Sequence, residues 1–134
     1  MSATDVFFDT NILLYLLSGD AAKADRAEGL LATGGIVSVH VLNEFVAVAA
    51  GKLAMPLVEI REVLATIRSI CSVKPLDIET HELGVDLAER YRYSIYDSLI
   101  LAAALRADCA TLFSEDFQQG QKIERLTIRN PFIE

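Results

Sequence analysis

Short apolar runs alternate along this chain with longer segments in which apolar residues return every third or fourth position. No other feature narrows the fold as far. A short apolar run bounded by turn residues reads as a strand buried on both faces, and the three-and-four spacing reads as a helix laid against it. Residues 6–9, 36–39 and 110–113 are such strands, residues 72–76 form a further short one, and residues 126–129 alternate as the last. Helices are predicted over 11–17, 21–32 and 41–53. Another is opened by Pro56 and carries Leu57, Ile60, Val63, Leu64 and Ile67, and two more cover 80–91 and 95–106. Ser18-Gly19-Asp20 and Gly34-Gly35 supply stops, and Ser94 supplies a cap. Strands alternating with helices predict an α/β fold, a three-layer α/β/α sandwich with a mainly parallel central sheet. The 134 residues hold no linker, repeat or low-complexity stretch, which suits a single domain over 1–134. With 52% hydrophobic but only 7% aromatic residues, the core is built mostly from Leu, Ile, Val and Ala.

In sheets of this kind ligands bind beyond the carboxyl ends of the strands, so residues at those ends carry the functional argument. Four acids fall there or just inside the following helix. Asp9, the only charged residue between Val6 and Leu17, closes the first strand. Glu44 lies one turn into a helix, within VLNEFVAV. Asp97 sits in a first turn three residues after Ser94, and Asp116 follows the apolar run ending at Phe113. Each has a structural reading: Asp9 as a helix cap, Ser94-x-x-Asp97 as a capping box, Asp116 as part of a polar turn. Glu44 is flanked by Val41, Phe45 and Val48, with Lys52 two turns away, so it needs a partner. A metal ion is one kind of partner.

Gathered at one sheet end, the four acids would repel. Two carboxylates about 5 Å apart cost roughly 3 kcal/mol at an effective dielectric near 20. Hard oxygen donors without a His or Cys cluster suit Mg2+ or Mn2+. Such ions serve phosphate chemistry by activating water, binding the scissile phosphate and stabilising the leaving oxygen. His40, at a helix start, and His81, in a charged helix, read as ordinary polar residues. Cys71 and Cys109, far apart, read as reduced, buried thiols.

The net charge of −7 opposes a general polyanion-binding surface. Lys52, Arg61, Arg68 and Lys74 nevertheless concentrate in residues 51–74, as a local basic strip or as solvated helix faces. The N-terminus lacks a basic leader, and no apolar run approaches the roughly 18–20 residues of a membrane helix. The expectation is a cytoplasmic protein without a membrane segment.

The motifs FFDTN with Asp9, VLNEF with Glu44, YDSLILAAAL with Asp97 and FSEDF with Ser114 and Asp116 together resemble the PIN domain. Within it they are most similar to VapC-type toxins of bacterial toxin–antitoxin systems. The resemblance runs from Val6 to the NPF near the end. It implies a parallel sheet between helices and a Mg2+/Mn2+-dependent endoribonuclease. It implies Asp9, Glu44 and Asp97 as core metal ligands, with Asp116 as the fourth acid, direct or through water. Ser114 matches the hydroxyl residue two before that acid, and Asn11 the polar residue two after the first. FSEDF offers two adjacent acids, Glu115 and Asp116; the family pattern selects Asp116. The resemblance also implies an RNA substrate, an antitoxin partner that occupies the site, and a homodimer. RNA contacts would fall to Lys52, Arg61 and Arg68, or to a dimer groove.

Two other readings stay open at this stage. One is a Mg2+-dependent phosphoaspartyl phosphotransferase or phosphatase with Asp9 as nucleophile, although position 11 is Asn and no Lys precedes Lys122 after the FSEDF segment. The other is a catalytically silent RNA-binding module.

Overall fold

The computed structural model describes residues 5–133; the first four residues and Glu134 of the expected 1–134 domain lie outside them. The chain opens with β1 (Val6–Phe8), buried along its whole length. Asp9 follows in extended backbone and caps α1 (Thr10–Leu14), which tightens into a single 3-10 turn at Tyr15–Leu17. Next come α2 (Ala21–Ala32), capped by Asp20, and β2 (Gly35–Ser38). Ser38 caps α3 (Val39–Gly51), and Pro56 precedes α4 (Leu57–Ile70). Then follow β3 (Cys71–Lys74), α5 (Ile78–Tyr91), α6 (Ile95–Arg106) and β4 (Thr111–Phe113). A two-residue β5 (Lys122–Ile123) and β6 (Leu126–Arg129) complete the order.

The six strands form one sheet in the order β3-β2-β1-β4-β6-β5. Every neighbouring pair is parallel except β5 with β6. Helices flank this mostly parallel sheet, as the alternation in the sequence predicts. The chain steps outward from β1 through β2 to β3, then returns to place β4 on the other side of β1. Right-handed crossovers therefore put the helices before β3 on one face and those after it on the other. The packing agrees: α1 lies against α3 and α3 against α4, whereas α5 lies against α6. The reversal makes the carboxyl ends of β1 and β4 a topological switch point, where this architecture leaves a crevice.

Two helices start earlier than their apolar spacing predicts, because the capping side chain lies upstream of the first periodic residue. Ser38 accepts the Val41 N–H at 3.2 Å and starts α3 at Val39, so that β2 ends at Ser38. Asp77 accepts the Thr80 N–H at 2.9 Å and starts α5 at Ile78. The two-residue β5 is an addition to the expected strands.

The core centres on Phe7, Phe8, Ile12, Phe45, Leu101 and Leu112, all fully buried. Along α6, every residue from Ser98 to Leu105 is buried, so this helix has no solvent face over that stretch. Cys71 and Cys109 are buried too, and burial pushes both thiols up to about 11, which keeps them protonated and unreactive at neutral pH. Among the described residues no helix is long and apolar enough to cross a membrane.

Gly35 is where the sheet tolerates no side chain. A Cβ there would stand 2.4 Å from Cε2 of Phe8, whose ring is fully buried and stacked on Phe113 at 6.0 Å. The ring cannot move aside without displacing the core. Gly35→Ala is expected to cost about 1–3 kcal/mol, read as a lower midpoint in urea unfolding. Gly29→Ala, in α2 with open space around the added methyl, is the control and should not destabilise the chain.

Candidate functional site

Asp9 stands where β1 gives way to α1, and its side chain is 1% exposed. Its backbone N–H extends the β1–β4 ladder by donating to the Phe113 carbonyl at 3.0 Å. Its carboxylate is held from two sides. The Thr10 N–H donates to Oδ1 at 2.6 Å, and the Ser114 hydroxyl donates to Oδ2 at 2.6 Å. Asp9 therefore caps a helix at the switch point between β1 and β4.

Glu44 projects from α3, and its partner is one the sequence did not suggest. Thr10 Oγ1 donates to Glu44 Oε1 at 2.8 Å, and His40 Nε2 lies 3.4 Å from the same oxygen. His40 is buried, and its Nε2 also lies 3.1 Å from the Tyr96 carbonyl oxygen. Both neighbours are acceptors, so Nε2 carries the proton. The residue after Tyr96 is Asp97, whose backbone N–H donates to the Ser94 hydroxyl at 3.1 Å in the first turn of α6. His40 thus ties the helix bearing Glu44 to the segment bearing Asp97. Sequence reading set His40 aside as an ordinary polar residue and passed over Thr10. The signals were its spacing of four from Glu44 on one helix face and the hydroxyl directly beside Asp9.

The two acids of the FSEDF segment have different neighbours. The Tyr15 hydroxyl lies 2.9 Å from both carboxylate oxygens of Glu115, and the Lys23 ammonium is 3.4 Å from that hydroxyl. Asp116 is exposed, and its backbone N–H donates to Ser114 Oγ at 3.0 Å. Ser114, fully buried, links the Asp116 turn to Asp9 through one oxygen. Asn11 reaches toward the same pair, with Nδ2 3.4 Å from Asp9 Oδ2 and 3.5 Å from Ser114 Oγ, while its buried Oδ1 has no hydrogen-bond partner.

The basic residues divide. Lys52 lines a cavity of about 390 Å³ together with Asn11, Tyr15 and Glu115. Arg61 and Arg68 instead line a separate groove between α3 and α4, with Leu42, Val46, Leu64 and Val73. Lys52 and the two arginines therefore line different cavities.

The four acids lie near enough for their charges to act on one another. Burial is the main cause that lifts Asp9 from 3.8 to about 7, and the negative charges of Asp116 and Asp97 add to it against the opposing hydrogen bonds from Ser114 and Thr10. Asp97 is also raised, first by burial and then by Asp116, with Glu44 adding to it. Carboxyl oxygens, a hydroxyl and an unpartnered amide oxygen form a hard donor set, the chemistry of Mg2+ or Mn2+ sites. As placed, the acids are not closed on a point: among the described residues no three His, Cys, Asp or Glu side chains converge tightly enough to hold an ion.

A family model for the PIN domain matches residues 6–122, most of the chain. The chain belongs to the PIN domain family. No curated protein matches this PIN domain. Among solved structures, it is similar to a toxin–antitoxin complex from Klebsiella pneumoniae at 23% identity and a TM-score of 0.71, covering 95% of this chain and 98% of that one. It is similar to Mycobacterium tuberculosis VapC20, a sarcin–ricin-loop-cleaving toxin, at 21% identity and a TM-score of 0.67, covering 83% of this chain and 91% of that one. It is also similar to VapBC2 from Rickettsia felis bound to a DNA fragment from its promoter, at 18% identity and a TM-score of 0.66, covering 93% of this chain and 97% of that one. At these identities the likeness speaks for a shared PIN fold.

Proposed function

We propose that this PIN domain is a Mg2+/Mn2+-dependent endoribonuclease and the toxin of a VapBC-type toxin–antitoxin pair. The observation that carries the reading is Asp9. An almost wholly buried carboxyl at the switch point is pushed up to about 7 by burial and by two further acids from distant parts of the chain. A fold gains nothing structural from gathering such charges, whereas a cation site needs them. Asp9, Glu44 and Asp97 would hold the ion, with Asp116 as the fourth acid. When bound, a divalent cation supplies an activated water and stabilises charge on a phosphodiester undergoing hydrolysis.

The remaining work falls to the chain itself. Thr10 N–H and Ser114 Oγ fix the Asp9 carboxylate, and Thr10 Oγ1 fixes Glu44. Thr10 therefore orients two acids at once, through its backbone and its side chain. Ser114 holds the Asp116 turn against Asp9. An RNA substrate is supported by the sarcin–ricin-loop-cleaving toxin of the same fold, and an antitoxin partner by the two similar structures that are toxin–antitoxin assemblies. The phosphoaspartyl alternative is disfavoured, because position 11 is Asn where a second Asp is expected and no Lys precedes Lys122 after the FSEDF segment.

The test is cleavage of single-stranded RNA by the purified chain with Mg2+ or Mn2+, and its loss in EDTA. Cleavage that persists in EDTA would contradict the metal-dependent reading. RNA binding without cleavage under any divalent ion would leave the silent binding module as the better description.

A further inference from the structure

Tyr96 immediately precedes Asp97, yet its ring is 63% exposed. One face of the ring is covered. The buried His40 imidazole lies parallel to it, at 7° between planes and 5.7 Å between centroids, within the range of offset stacking. The Tyr96 carbonyl accepts the proton of His40 Nε2 at 3.1 Å, so backbone and ring are both held by the same residue. Among the described residues no second ring contacts Tyr96.

The charge distribution limits what such a ring can meet. Asp97 follows it in the chain and Glu44 lies 3.4 Å from the same His40 nitrogen, whereas Arg61 and Arg68 line the groove between α3 and α4. A nucleobase is neutral and offers a flat face, and stacking on an aromatic ring tolerates any base.

We infer that Tyr96 is a platform on which a nucleobase of the RNA stacks as the adjoining phosphodiester enters the acid pocket, with His40 holding the ring in place beforehand. This rests on the ribonuclease reading. The platform adds binding that ground state and transition state share, so its loss raises KM and leaves kcat.

The chain has no tryptophan, so Tyr96→Trp installs a single indole at the platform itself. Mixed with short single-stranded oligoadenylate or oligouridylate in Mn2+, its fluorescence should be quenched before cleavage proceeds, and Tyr96→Trp and Tyr96→Phe should keep the parent KM. Tyr96→Ala should raise KM by roughly ten-fold or more with kcat little changed. A parent chain that cuts RNA while the indole stays unquenched at saturating RNA, or while Tyr96→Ala and the parent share one KM, overturns the platform alone. A parent chain that neither binds nor cuts RNA overturns the ribonuclease reading and the platform with it.

Discussion

Asp97→Asn is expected to lower metal-dependent RNA cleavage on the order of 100-fold or more while the chain stays folded. The substitution removes one negative charge and little else. The helix cap survives, since the contact to Ser94 is made by the backbone N–H of residue 97. Loss of a carboxylate from a helix first turn costs about 0.3–1 kcal/mol, and relief of repulsion from Asp116 and Glu44 offsets part of it. A thermal melt close to the parent's, together with lost cleavage, separates the chemical role from a structural one. Cleavage at the parent rate by the folded variant would remove Asp97 from the site.

Asp9→Asn should make the metal-stripped chain more stable than the parent at pH 8, although it is the more deeply buried change. In the folded chain Asp9 holds its proton up to about pH 7, against an ordinary value of 3.8. Between those values the folded state binds more protons than the unfolded state, so the parent loses stability as pH rises through the window. The loss reaches about 4 kcal/mol once pH passes 7. Asparagine never ionises and so avoids it, while its side-chain oxygen can still accept the Thr10 N–H and the Ser114 hydroxyl can turn to accept from the new amide. Melting curves in EDTA should show the variant ahead by several degrees at pH 8 and the two chains alike near pH 3. Adding Mn2+ should reverse the order at pH 8, because only the parent offers the full set of charges. A parent that outlasts the variant at pH 8 in EDTA would mean that Asp9 carries no such strain.

What the sequence made legible was whatever is decided locally. Two helices were read to the residue, Ala21–Ala32 and Ile95–Arg106, because a capping acid or serine stands directly before each apolar pattern. The starts of α3 and α5 were missed by two residues because Ser38 and Asp77 cap from within less periodic sequence. The two-residue β5 is too short for any period and exists through its pairing with β6. Asp9 and Asp97 could be singled out as candidates because a strand end and a helix first turn are themselves local features. Their supports could not. The contact of Thr10 with Glu44 spans 34 residues, that of His40 with Tyr96 spans 56, and that of Ser114 with Asp9 spans 105. Each depends on the order in which the strands assemble, which no window along the chain reveals.

The unbroken burial of α6 has a consequence for how the pocket responds to whatever enters it. Asp97 is carried on a rod enclosed from Ser98 to Leu105, whereas Asp116 rides on an exposed turn held to the body by the Ser114 hydroxyl. A helix so enclosed opens only when the whole chain does, while an exposed turn opens on its own. The acids are therefore mounted on supports of unequal stiffness. An incoming ligand meets a fixed wall on the Asp97 side, and the adjustment it demands falls on the Asp116 side.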